Sequence, residues 1–264
     1  MKKIINGLSV FLSNEHKSKS IVFVHGFPYD HNMWQDQVDE LSKNYLCVSY
    51  DIRGLGDSPA EDGQFTMESF VDDLEKITDE LKLEKSILCG LSMGGYISLR
   101  AMERMQNKFS ALILCDTKST ADDDEGKLKR AAAIKQINSG KFYEFIDSFV
   151  LNCFGERFVK ETAAEYRKIV DRSKKNNPIG VKGCLLAMAG RTDTTESLSK
   201  INLPVLIICG SEDKLSPPDV MKSIADKIPN ANFILVEGAG HMTPIENPRT
   251  VNKAIKDFLI KNNL

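Results

Sequence analysis

The chain has 264 residues, 42% of them hydrophobic and 27% charged, with a formal net charge of −2. That length buries a core without disulfides or metals, and an α/β enzyme of this size often forms one unit. The near-neutral balance argues against a nucleic-acid partner, and no apolar run approaches the ~20 residues of a membrane helix. Met1-Lys2-Lys3-Ile4-Ile5 resembles a signal n-region only briefly before Asn6-Gly7 interrupts it, and no small-residue cleavage site follows. A cytoplasmic protein is expected. None of the six cysteines forms a Cys-x-x-Cys pair. Cys47, Cys89, Cys115 and Cys209 sit inside short apolar runs, which reads as reduced, buried thiols.

Taken in order, Asn6-Gly7 between Lys3–Ile5 and Leu8–Leu12 predicts an antiparallel hairpin, because both residues tolerate positive φ. Ser20–Val24 is a strand, and Trp34, Val38 and Leu41 fall at helical spacing. Leu46–Tyr50 is again strand-like. Thr66 reads as a helix N-cap ahead of an apolar stripe of Met67, Phe70, Val71, Leu74, Ile77 and Leu81. Ile87–Cys89 (strand), Tyr96–Met105 (helix) and Ala111–Cys115 (strand) follow. The alternation resumes at Val205–Cys209, then Val220–Ile228 (helix), Phe233–Val236 (strand) and Val251–Ile260 (helix). Such alternation predicts βαβ crossovers and a mostly parallel sheet whose strands are buried on both faces.

From Lys118 to Lys200 there is helical patterning and no convincing strand. Leu128/Ala131/Ala132/Ile134, Phe142/Phe145/Ile146/Phe149 and Ala163/Tyr166/Ile169/Val170 are the stripes, separated by Gly140, Gly155 and Asn177-Pro178. The chain therefore divides into an α/β body, residues 1–117 and 201–264, and a helical cap inserted at 118–200. Asp122–Glu125 reads as a solvated helix start, where carboxylates are favoured.

Gly90-Leu91-Ser92-Met93-Gly94 matches G-x-S-x-G. A serine on a sharp strand-to-helix turn needs small neighbours two positions either side, because a side chain there would strike the adjoining strand and helix. The pattern alone is weak, since roughly one random chain in ten this long contains it. Its place between a strand and a helix gives it weight. Ser92 needs a base. His241, in a Gly-rich loop after the last strand, is better placed than His16, His25 or His31. His16 lies in a polar hairpin loop, His31 at a helix start, and His25 holds its own loop by hydrogen bonds. Asp213, past Val205–Cys209, is the acid that would fix the imidazole tautomer. Glu212 beside it and Asp116 after Ala111–Cys115 are rivals. A tetrahedral oxyanion wants two amides. Met93, at a helix start, offers one, and Phe27 in His25-Gly26-Phe27-Pro28 the other.

With those motifs in order, and with Asp51-Ile52-Arg53-Gly54-Leu55-Gly56-Asp57-Ser58 and Trp34, the chain resembles the α/β-hydrolase superfamily over essentially its whole length. It looks most like small bacterial carboxylesterases, 3-oxoadipate enol-lactonases and cofactor-free haloperoxidase-like perhydrolases. The resemblance implies a helical cap over the site, no metal or organic cofactor, and structural roles for Asp51 and Arg53. A serine at position 92, where dehalogenases and epoxide hydrolases need an aspartate, excludes their chemistry.

The expectation is a serine hydrolase acting on a small ester, with catalytic Ser92, Asp213 and His241, and with Phe27 and Met93 amides as oxyanion donors. Phe145 and Phe149 are the candidate walls of the acyl pocket. An enol-lactonase is the runner-up; its substrate carries free carboxylates and wants a fixed cation, for which Arg191 is the candidate. Pro28 stiffens the loop carrying the Phe27 carbonyl, which motivates a perhydrolase side activity. Two further readings stand beside these. One is a non-catalytic ligand-binding member of the fold. The other is a thioesterase for a carrier protein, suggested by 16 Lys+Arg against 12 Asp+Glu between Thr117 and Lys200. The expected partner is a small ester or lactone substrate, with no nucleic acid and no membrane, and the oligomeric state stays open.

Overall fold

The computed structural model describes residues 1–264. Eight strands form one sheet in the order β1-β2-β4-β3-β5-β6-β7-β8. They are β1 (Lys2–Ile5), β2 (Leu8–Ser13), β3 (Ser20–Val24), β4 (Leu46–Tyr50), β5 (Ser86–Leu91), β6 (Phe109–Cys115), β7 (Val205–Gly210) and β8 (Ala231–Val236). The hairpin forms as expected, with Asn6 and Gly7 at φ 49° and 80°. The β1–β2 and β2–β4 pairs are antiparallel and every other pair is parallel. Each residue of β3, β5 and β7 is buried, whereas β8 at the sheet edge is mostly half-buried. The unbroken apolar runs in the sequence are therefore strands covered on both faces.

The covering helices of the body are α1 (Gln35–Leu41), α2 (Met67–Glu80), α3 (Met93–Met105), α9 (Pro218–Lys227) and α11 (Pro248–Lys261), while α10 (Thr243–Glu246) is a single turn. Thr66 caps α2 as expected, in a reciprocal capping box with Ser69. Between β6 and β7 lie α4 (Asp124–Asn138), α5 (Phe142–Cys153), α6 (Glu156–Glu161), α7 (Ala163–Ser173) and α8 (Pro178–Ala189), with no strand among them. No helix is long and apolar enough to cross a membrane. All six cysteines are buried and unpaired.

Two sequence expectations fail in this stretch. The stripe Leu128/Ala131/Ala132/Ile134 does not face the protein: Leu128 is 70% exposed, and Ala131 and Ala132 are exposed too. α4 instead buries Ile137, with Ala133 and Ile134 partly covered. Alanines suit either face of a helix, so they carried little directional information. Asp122 is also not a solvated helix start. Asp123 caps α4 by accepting from the Gly126 amide, and Asp122, half-buried, pairs with Arg130 and Arg191.

β3 pairs with β4 on one side and β5 on the other. The chain reverses its direction of travel across the sheet at β3/β5, and a crevice opens outside their carboxyl ends, where open α/β sheets bind ligands. The loop after β3 carries Phe27, and the turn after β5 carries Ser92.

Candidate active site

Ser92 sits between β5 and α3 at φ 54° and ψ −115°, a conformation that costs of order 1–3 kcal/mol in a non-glycine residue. Its neighbours impose it. The Ser92 amide donates to the Cys115 carbonyl at 3.0 Å, and the Thr117 hydroxyl donates to the Ser92 carbonyl at 2.8 Å. The two glycines are needed for the reason the sequence suggested. A Cβ on Gly94 would lie 2.1 Å from the Val24 carbonyl oxygen, and one on Gly90 2.4 Å from that of Gly94. With both positions bare, α3 packs against the end of β3 and Ser92 is lifted clear of the sheet.

Asp213 follows β7 and is fully engaged. Oδ1 accepts from the amides of Leu215 (2.8 Å) and Ser216 (3.0 Å), and Oδ2 accepts from the Ser216 hydroxyl (2.6 Å). His241 Nδ1 lies 2.8 Å from the same Oδ2. Burial works to raise this carboxyl, but the imidazole beside it and the Ser216 donors hold it down at about 2. An ionised carboxylate only accepts, so the Nδ1 proton belongs to the histidine, and in the neutral ring Nε2 is the nitrogen that carries the lone pair. Both side chains are buried. Ser92 and His241 border one cavity of about 740 Å³. A smaller cleft of about 180 Å³, beside Tyr29 and Arg172, contains none of the expected catalytic residues.

The rival acids lie elsewhere. Buried Asp116 accepts from the Gly210 amide (2.9 Å) and the Thr243 hydroxyl (2.5 Å), tying β7 to α10, and it makes no bond to His241. Burial and then the nearby Asp213 push its carboxyl well above the ordinary range. Glu212 is exposed. Of the other histidines, His16 is exposed. His31 opens a short 3-10 turn and bonds Asp51 at 2.7 Å. His25 accepts from the Ile52 amide on Nε2 at 2.9 Å, and its Nδ1 meets the Gly26 carbonyl at 2.9 Å. Asp51 also accepts from the His31 and Asp57 amides, and Arg53 grips Asp73 with two donors. These polar residues brace the strand-end loops.

Met93 is the first residue of α3, so its amide has no acceptor within the helix. The Phe27 amide likewise finds no backbone carbonyl. Gly26 lets the Phe27 loop approach, since a Cβ there would lie 2.7 Å from Leu91 Cδ2 and 3.4 Å from Ser92 Cβ.

The aromatic residues divide. Phe27, Phe145 and Phe149 form one ring cluster with centroids 5.1–6.4 Å apart, and all three border the cavity. Phe154 packs on Phe158 and Tyr166 within the insertion and is not on the cavity wall. Arg191 reaches the wall, but its charge is matched by Asp122 at 2.8 Å.

Two residues escaped the sequence reading. Ser216 bridges Asp213 and His241; its signal was an aspartate three positions earlier, in a turn that Asx side chains favour. Glu246 accepts from the Gly240 and Met242 amides on Oε1, at 3.0 and 3.1 Å, on both sides of His241. It accepts from the Gly155 amide on Oε2 at 2.9 Å. The His241 amide in turn donates to the Cys153 carbonyl at 2.8 Å. The end of α5 is thus clasped to the histidine loop. A glutamate reaching back from the first turn after Pro244 was the available signal, and it named a helix start rather than a clasp.

Known proteins resemble this chain over nearly its whole length. A family model described as "alpha/beta hydrolase fold" matches residues 19–248. A 3-oxoadipate enol-lactonase of Acinetobacter baylyi is 27% identical over 96% of this chain and 92% of its own length. A thermophilic esterase from Thermogutta terrifontis superposes with TM-score 0.93 at 30% identity, covering 100% of this chain and 99% of that one. The enol-lactonase from Burkholderia xenovorans superposes with TM-score 0.90 at 25% identity, covering 98% and 100%.

Proposed function

Since this chain belongs to the α/β-hydrolase family, we propose that it is a serine hydrolase that cleaves small carboxylic esters or lactones through an acyl-enzyme on Ser92. The carrying observation is the buried His241–Asp213 hydrogen bond at 2.8 Å, with His241 on the same cavity wall as the strained Ser92. Ser92 Oγ attacks the carbonyl carbon while His241 Nε2 takes its proton. The Phe27 and Met93 amides donate to the oxyanion, where preorganised donors act most strongly. Asp213 holds the ring and stabilises the imidazolium. As the C–O bond to the alcohol breaks, His241 returns the proton to the leaving oxygen. Water then attacks the acyl-enzyme by the same route and releases the acid. In a lactone the leaving alcohol stays tethered to the acid. The names of the esterase and enol-lactonase relatives support this substrate range.

The test is a pair of variants assayed on p-nitrophenyl esters. Asp213→Asn should lower kcat by about 10³- to 10⁴-fold, because an amide holds the wrong tautomer, while Asp116→Asn retains far more activity. Near-wild-type turnover in Asp213→Asn, with Asp116→Asn inactive, would move the acid to Asp116.

A further inference from the structure

Positive charge on the cavity wall is unevenly used. Asp122 pairs with Arg130 at 2.9 Å and Arg191 at 2.8 Å. Arg191 also donates to the carbonyls of Thr120 (3.1 and 2.9 Å) and Met188 (2.9 Å), and its guanidinium lies 4.2 Å from the Tyr96 ring centre. Its donor fork is therefore occupied by the protein itself. Lys129 pairs with Glu125, and Lys214 is exposed at the rim. Lys118 differs from all of these. It is half-buried, two residues past Asp116 at the carboxyl end of β6, and borders the same cavity as Ser92 and His241. No carboxylate stands at ion-pair distance from it and no protein group hydrogen-bonds it; burial, and after it the nearby Arg191, push its ammonium down against the more distant pull of Asp122 and Asp213.

A partly desolvated ammonium without a partner is costly in a folded protein. A substrate anion would offset that cost when it binds. The apolar part of the wall is Phe27, Phe145, Phe149, Leu185 and Met188, while its carboxylates are engaged by the protein, Asp122 with Arg130 and Arg191, Glu125 with Lys129, and Asp123 as the cap of α4. A single ammonium with no free guanidinium beside it suits one carboxylate better than a phosphate, which favours several donors or an arginine fork.

We propose that Lys118 is an anion subsite, and that the ester or lactone cleaved at Ser92 carries a free carboxylate that seats against the Lys118 ammonium. This rests on the serine-hydrolase reading and narrows its substrate class. The subsite also gives the cation sought at Arg191 a different address. Arg191 holds Asp122 and the cavity wall, and Lys118 faces the ligand.

The experiment compares matched esters with and without a carboxylate. Mono-p-nitrophenyl adipate and its methyl ester place the charge on the acyl side. 4-Acetoxybenzoate and methyl 4-acetoxybenzoate place it on the alcohol side. In wild type, one pair should show kcat/KM at least about tenfold higher for the anion, mainly through KM. Which pair responds identifies the side. In Lys118→Gln that anionic-to-neutral ratio should fall about tenfold, and in Lys118→Arg most of it should return, with thermal melting confirming that both variants fold. Equal rates on anion and neutral ester in both wild-type pairs would overturn the subsite, as would an undiminished ratio in Lys118→Gln. A wild type that cleaves none of the four esters would instead remove the hydrolase reading, and the subsite with it.

Discussion

The strand-end body and the helices between β6 and β7 hold their side chains by different rules. In the body, burial is complete along β3, β5 and β7, and bare backbone meets bare backbone. A Cβ on Gly210 would lie 2.0 Å from the Gly240 carbonyl oxygen, bringing the loops of Asp213 and His241 together. The inserted helices leave more apolar surface open. Five of the nine large apolar side chains left exposed belong to them: Leu128, Tyr143, Leu151, Ile179 and Leu186. Close-packed backbone fixes positions to fractions of an ångström, which proton transfer needs. Side-chain packing on a separate set of helices leaves the pocket wall free to vary while the chemistry stays fixed.

The Glu246 clasp is where the two regions meet, so breaking it should have the largest effect. Glu246→Gln leaves one acceptor oxygen for amides that approach from both the histidine loop and Gly155, and sets an NH2 against a donor. Loss of up to about 3 kcal/mol of local stability is expected, read as faster hydrogen exchange at the Gly155 and Met242 amides together with a lower kcat. Slower turnover with unchanged exchange at Gly155 would mean that the clasp serves the body alone.

A smaller effect, confined to the body, concerns acid. Asp213 has an ordinary carboxyl value of 3.8 that the fold lowers to about 2. A lowered carboxyl stabilises the folded protein above its unfolded value and loses that contribution as pH falls through the folded one. Wild type should therefore exceed Asp213→Asn by a margin that shrinks by about 2 kcal/mol between about pH 4 and 2. Taking the difference between the two proteins cancels the opposite contribution of Glu246, whose raised carboxyl favours the fold as pH falls. Urea midpoints measured across that range check it, and a constant margin contradicts it.

The insertion should answer most gently. Phe145→Ala and Phe149→Ala remove aromatic walls beside Phe27. Each additional acyl methylene that enters the space gains about 0.8 kcal/mol, roughly fourfold in kcat/KM. The optimum should move to longer p-nitrophenyl esters. An unmoved chain-length profile with a lower melting temperature would make these rings packing residues only.

The same contrast explains what the sequence revealed. Strands buried on both faces announce themselves as unbroken apolar runs, and the elbow is local chemistry, so β3 through β7 and the turn at Ser92 were legible within a residue or two at most ends. The 28-residue separation of Asp213 and His241 was bridged by their shared position after parallel strands. What stayed hidden depended on contacts between distant segments. The packing face of α4 was masked by alanines, and Asp122 looked like a helix-start charge until folding brought Arg191 to it. Lys118 was one lysine among many, because only the folded cavity distinguishes an ammonium that lacks a partner.

The central claim is that Ser92 is a nucleophile activated by His241, and a fluorophosphonate tests it whatever the natural substrate is. Intact-mass spectrometry of the treated wild type should show one covalent adduct, with peptide mapping locating it at Ser92, and Ser92→Ala should show none. An unlabelled wild type, or an adduct that persists in Ser92→Ala, would contradict the account.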